Sequence, residues 1–195
     1  MTSLIICEKP SAAKKFASAL GGREGTFEGA PYKIVNLLGH LLELAPPHEQ
    51  VPGDLADAFA SWEIEHLPWD RSQMAWKRVV IEDARDVFDA AASAVRALEP
   101  SDEVVIATDL DPSGEGELLA WEFLDEVGYE GPVSRMRHAD EEPDPVRRAF
   151  REREPITREA DGDLFMALAR DKWDFCSMQL TRAATTLARA RGHKA

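Results

Sequence analysis

The chain has 195 residues, 44% of them hydrophobic, and a formal net charge of −13. That composition excludes a disordered chain, and the length suits one sizeable core, or one domain plus an extension. No apolar run approaches the roughly 20 residues of a membrane span. Met1-Thr2-Ser3 is uncharged and Leu4-Ile5-Ile6-Cys7 is short, so neither a membrane protein nor a signal peptide is expected, and the cytoplasm is the expected compartment. Cys7 and Cys176 have no CxxC spacing and read as free, buried thiols.

An acidic chain is a poor match to the basic footprint that nucleic-acid binding requires. The charge is polarised, however. Ala97 to Ser134 holds eleven Asp or Glu and no Lys or Arg, whereas Arg170 to the end holds six Lys or Arg against two acids.

In chain order, Leu4–Glu8 is an apolar, β-branched strand stopped by Pro10-Ser11. A helix over 11–20 follows, with Ala12, Phe16 and Ala19 on one face and Gly21-Gly22 as its stop. Tyr32–Leu38 predicts a second strand before a turn at Gly39. Residues 45–76, rich in Pro and Trp, read as an irregular insertion. Asp83–Leu98 is an alanine-rich helix, and Glu103–Thr108 is a strand buried on both faces. A helix over 115–127, a strand over 133–139 and a helix over 143–151 follow. The tail from about Arg158 reads as one long helix with Leu164, Leu168, Phe175 and Met178 on one face. This β/α alternation predicts an α/β fold with a mostly parallel sheet, right-handed crossovers and a C-terminal helical extension.

Ligands of such sheets bind beyond the carboxyl ends of the strands. Glu8 and Lys9 end the first strand, and Asp109 and Asp111 end the one at 103–108, so both groups face one edge. Gly114-Glu115-Gly116-Glu117 opens the next helix. Asp109, Asp111, Glu115 and Glu117 stand within nine residues with no cation among them. A hard divalent cation with oxygen ligands, such as Mg²⁺, relieves their repulsion. Acids in a first helical turn also complement the macrodipole, which by itself accounts for Glu115 and Glu117. It does not account for aspartates at a strand end, and those point to metal.

Leu4-Ile5-Ile6-Cys7-Glu8-Lys9-Pro10-Ser11-Ala12-Ala13-Lys14 resembles the opening of type IA DNA topoisomerases of the topoisomerase I/III kind. Gly39-His40-Leu41 resembles that family's next landmark. Ile106-Ala107-Thr108-Asp109-Leu110-Asp111 and Glu115-Gly116-Glu117-Leu118-Leu119-Ala120-Trp121-Glu122 resemble its acidic motif. Leu180-Thr181-Arg182-Ala183, preceded by Arg170 and Asp174, resembles the helix that leads out of the Toprim domain. The landmarks keep family order over almost the whole chain.

The resemblance implies a Toprim, Rossmann-like domain over 1–140 and a helical extension over 141–195 that begins the next topoisomerase domain. It implies Mg²⁺-dependent breakage and rejoining of a single-stranded DNA segment. Glu8 would act as acid or base near the scissile phosphate and Lys9 would hold a phosphate oxygen. Asp109 and Asp111, with Glu115 or Glu117, would bind Mg²⁺, while His40 and Arg182 would contact DNA. His40 also reads as a turn residue satisfied by backbone, and Arg170 with Asp174 as a plain intrahelical pair. Trp62, Trp69 and Trp76 either stack on bases or pack their loop. His138 carries no expected role.

Two departures stand out. Pro112-Ser113-Gly114 occupies the place where the family has one residue, so Glu115 and Glu117 compete for one ligand role. A Ser at the ligand place would be a poor substitute, which favours Glu115. Neither Tyr32 nor Tyr129 matches the family's nucleophilic tyrosine, which lies in a downstream domain. The chain is therefore expected to be a fragment, or to work with a second polypeptide that carries that domain. A metal-dependent Toprim nuclease or primase-like enzyme, or a non-catalytic binding module, are the other classes the motif allows.

Overall fold

The structure, a computed structural model, describes residues 1–61, 63–138 and 140–192. Its main elements run β1 (Ser3–Cys7), α1 (Pro10–Leu20), β2 (Glu24–Phe27), β3 (Ala30–Asn36), β4 (Leu42–Leu44), α2 (Ala56–Ala60), β5 (Arg78–Val80), α3 (Arg85–Arg96), β6 (Glu103–Ala107), α4 (Glu115–Val127), β7 (Val133–Arg135), α5 (Pro143–Arg151), β8 (Glu154–Pro155) and α6 (Gly162–Ala190). By their contacts they form two compact units, one of residues 1–42 with 80–167 and one of residues 43–79 with 168–195.

In the first unit six strands form one sheet in the order β2-β3-β1-β6-β7-β8. The inner four are parallel, and β2 and β8 close the edges antiparallel. Every residue of β1 and β6 is buried, as continuous apolar runs require in a sheet covered on both faces. Pro10 starts α1, and Gly21, at φ 103°, ends it by donating to Ala17 O at 2.9 Å. One core joins Ile5, Phe16, Val105 and Met136 to Val146, Ala149 and Phe150 of α5.

That packing carries the unit past residue 140, where the domain boundary was expected. A nine-residue helix has too little surface to stand alone, and α5 buries its apolar stripe against α1. The strand expected over 32–38 is β3, whereas its hairpin partner β2 and edge strand β8 were not foreseen, being short and poor in alternating apolar residues. Cys7 and Cys176 are free; Cys7 is buried, and burial pushes its thiol pKa up.

The second unit gathers much of the expected irregular insertion around Phe59, Trp69 and Met74. Trp69 stacks on Phe59 at 5.4 Å and donates its indole N–H to Ala58 O, which makes it a core residue rather than a platform for bases. Trp76 packs edge-on against Phe175, with Lys172 Nζ 5.1 Å above its ring. Trp62 lies outside the described residues. On α6 the expected apolar stripe holds only in part, since Met178 is exposed. Its neighbour Gln179 is buried instead, because its side chain accepts from Trp69 N at 2.8 Å. A polar side chain goes inside where a loop amide needs a partner.

The amino ends of the strands hold an ionic lock. Glu103 accepts from Ser3 Oγ and Ser134 Oγ, both at 2.7 Å, and from Arg153 at 2.7 and 2.9 Å. Burial opposes ionisation of Glu103, but the bonds from Arg153, Ser3 and Ser134 outweigh it and hold its pKa below the ordinary 4.5. A depressed folded pKa stabilises fully above the unfolded value, and that contribution is lost as pH falls through the folded value. Melting of the chain and of Glu103→Gln should therefore differ most above about pH 4.5, the difference shrinking as the pH drops below it. A gap in melting temperature that stays constant down to pH 3 would contradict this.

Candidate functional site

At the opposite, carboxyl edge, β1 and β6 are in register from Ser3↔Glu103 to Cys7↔Ala107. The residues that follow each strand therefore emerge side by side. Lys9 Nζ lies 2.9 Å from Asp109 Oδ2, and Glu8 Oε2 accepts from Asp109 N at 3.4 Å. Half-burial raises the Glu8 pKa, the Asp109 carboxylate raises it further, and the Asp109 amide and Lys9 oppose the rise. Lys9 is held more firmly as a cation, chiefly by its bond to Asp109.

Past Asp109 the chain makes a tight turn. Gly114 N donates to Asp111 O at 2.9 Å, while Ser113 N donates to Asp111 Oδ1 at 2.6 Å. Gly114, at φ 74°, takes a left-handed conformation and serves as the N-cap of α4. The Pro112-Ser113-Gly114 departure is thus absorbed within one turn and the first residue of the cap. Glu115 opens α4 half-exposed, and its Oε1 lies 3.1 Å from His40 Nε2. The two landmarks Gly39-His40 and Gly-Glu-Gly-Glu therefore meet in space.

Glu117 stands apart from this edge. It is 1% exposed, and its carboxylate accepts from Arg135 Nε at 2.8 Å. Arg135, equally buried, also donates to Ile106 O, Thr108 O and Met136 O, and to Asp109 O at 3.4 Å. Burial depresses the guanidinium pKa, and Glu117 counteracts it. Arg135 was missed in the sequence reading. No local signal marked it, since β7 reads Val133-Ser134-Arg135 and the exposed Arg137 follows two residues later.

Residues 3–139 match the Toprim domain family. The chain belongs to that family. Over 191 residues it is 32% identical to DNA topoisomerase 3 of Staphylococcus epidermidis, covering 95% of this chain and 25% of the relative. DNA topoisomerase 3 of Staphylococcus aureus is 34% identical over 190 residues, with the same coverage. A solved structure, full-length topoisomerase I from Thermotoga maritima in a monoclinic crystal form, aligns over 78% of this chain and 21% of its own, at 20% identity and a TM-score of 0.49. The chain thus spans about a quarter of the length of the curated relatives it matches, and corresponds to their N-terminal region.

The Toprim edge fits a hard divalent cation by its donors, since Asp109, Asp111 and Glu115 offer carboxylate oxygens at a solvent-accessible rim. Among the described residues no three acids, histidines or cysteines converge into a cage. Beside Lys9 and Asp109 opens a cavity of about 530 Å³, also lined by Lys15, His138 and Glu141. His138 is buried in its wall, edge-on to Phe16 at 5.1 Å. Of the remaining candidates, Arg182 is exposed on α6 in the second unit, and Arg170 pairs with Asp174 at 3.7 Å one turn away.

Gly116 shows how closely the two acidic segments approach. A Cβ there would lie 2.2 Å from Asp109 O, and Thr108 Oγ1 donates to Gly116 O at 2.8 Å. Alanine gains about 1 kcal/mol of helix propensity over glycine. The clash is with backbone that cannot swing away, and overpacking of this kind costs about 1–3 kcal/mol. Gly116→Ala should accordingly lower the melting temperature and weaken Mn²⁺ binding together; calorimetry and a Mn²⁺ titration check both.

Proposed function

We propose that the chain is the Mg²⁺-binding Toprim part of a type IA DNA topoisomerase, serving breakage and rejoining of a single-stranded DNA segment in the cytoplasm. The observation that carries this reading is the meeting of Glu8, Lys9 and Asp109 at one sheet edge, where Lys9 Nζ contacts Asp109 Oδ2 at 2.9 Å. Asp109, Asp111 and Glu115 would hold Mg²⁺, which supplies positive charge against a phosphodiester that an acidic chain otherwise repels. Glu117 serves from behind, as the partner of Arg135.

Lys9 binds a phosphate oxygen as a point charge. Glu8, whose proton is held more tightly by burial and by Asp109, gives or takes a proton at the leaving or attacking oxygen. His40, oriented by Glu115, and Arg182 contact the DNA backbone. In this reading α6, beyond the α5 that packs on the first unit's core, leads into the next topoisomerase domain. The nucleophilic tyrosine comes from a longer polypeptide or a second one. A hydroxyl within reach of the phosphate is needed for covalent catalysis. Tyr32 is buried and donates to Gly22 O, and Tyr129 donates to Pro132 O near the amino end of β7.

The placement of those tyrosines also favours a second reading, a Toprim nuclease or primase-like enzyme that needs no tyrosine. Two measurements separate these outcomes. Asp109→Asn combined with Asp111→Asn should abolish Mn²⁺ binding in a calorimetric titration, and binding equal to the parent chain would remove the metal site. The 195-residue chain, given Mg²⁺ and supercoiled plasmid, should produce neither relaxed topoisomers nor nicks. A ladder of topoisomers would show a nucleophile within the chain, and nicked circles would favour the nuclease.

A further inference from the structure

We propose that the buried Arg135–Glu117 pair is the positioning device of the Toprim edge, setting the distance between the end of β6 and the first turn of α4. It thereby sets how tightly the acids hold their cation. The proposal rests on the reading of that edge as a Mg²⁺ site.

The backbone creates the need for such a device. Pairing of β6 with β1 ends at Ala107, and pairing with β7 ends at Ile106↔Arg135. Thr108 and Asp109 therefore leave the sheet with carbonyls that no neighbouring strand can satisfy, although Thr108 is buried. Arg135, the last residue of β7, continues the ladder with its side chain. Nη1 donates to Thr108 O at 2.9 Å and Ile106 O at 3.2 Å, and Nη2 to Asp109 O at 3.4 Å.

The same guanidinium turns its Nε to Glu117 Oε1 at 2.8 Å. Glu117 lies on α4 two residues after Glu115, and Gly116 between them touches Thr108 and Asp109. One planar cation thus joins the backbone that carries Asp109 to the helix turn that carries Glu115. Its fork of five fixed donors permits this, and the three donors of a lysine on a flexible stem do not.

Stability alone does not account for the pair. A buried ion pair is often replaceable by apolar residues of similar volume without loss. An apolar pair at these positions would leave the Thr108 carbonyl unsatisfied and the DxD turn free to drift from α4. What the ions add is geometry.

The test uses the full chain. Mn²⁺ affinity is read by electron paramagnetic resonance well below the melting temperature, and thermal unfolding in EDTA reports the fold. Arg135→Lys and Glu117→Gln are compared with the parent, and Asp109→Asn with Asp111→Asn serves as the reference. Residues that orient metal ligands typically contribute about 10–100-fold in affinity. Arg135→Lys and Glu117→Gln should unfold cooperatively without metal and bind Mn²⁺ weaker by that factor, while the reference does not bind. A purely structural role would lower the melting temperature and leave the affinity of the folded variant unchanged. Parent-like affinity in folded Arg135→Lys overturns the proposal and leaves the metal site standing. Parent-like affinity in the reference overturns the metal site and the proposal with it. Should Arg135→Lys fail to fold, Glu117→Gln decides by the same criterion.

Discussion

Parallel strands end abruptly, and their last carbonyls must find partners that the ladder no longer supplies. In this chain that constraint falls on Thr108 and Asp109, at the point where the acidic motif begins. The Arg135 guanidinium answers it, and most of the site's geometry follows from that one group. It holds the end of β6, faces Glu117 on α4, and leaves Asp109, Asp111 and Glu115 to the rim. An acidic motif with four carboxylates is thereby divided by burial: one is spent inside, and three remain accessible.

The two ends of the sheet treat charge in opposite ways. At the amino end Glu103 is ringed by Ser3, Ser134 and Arg153, so its charge is satisfied within the protein. At the carboxyl end the carboxylates of Asp109, Asp111 and Glu115 lie at the surface. Lys9 bonds Asp109, His40 meets Glu115, and burial together with Asp109 raises the Glu8 pKa. A carboxyl whose proton is held more tightly, beside a lysine and an aspartate at a sheet edge, is the kind of environment in which functional groups are found. The excess of acids between Ala97 and Ser134 is spread over both ends and over α4, so charge density along the chain does not by itself locate the site.

The mostly parallel character of the sheet and the acids that follow β1 and β6 were legible in the sequence, whereas the order of the strands was not. Buried strands leave continuous apolar runs, and helices leave a 3.6-residue period with Pro and Gly at their ends. Pro10, Gly21 and Gly114 mark their boundaries by backbone chemistry alone. These are local signals, written in consecutive residues, and the Toprim family match rests on the same stretch of chain.

What the sequence could not decide was set by contacts between distant residues. Glu115 and Glu117 are chemically identical and two positions apart, but helical geometry turns one to the rim and the other toward β7, where Arg135 waits. The choice between them depends on a residue 18 positions further on. The continuation of the first unit past residue 140 likewise depends on α5 packing on α1, and the burial of Gln179 on a loop amide 110 residues earlier. Periodicity records which face of an element is apolar. Only the folded chain determines which polar group lies opposite.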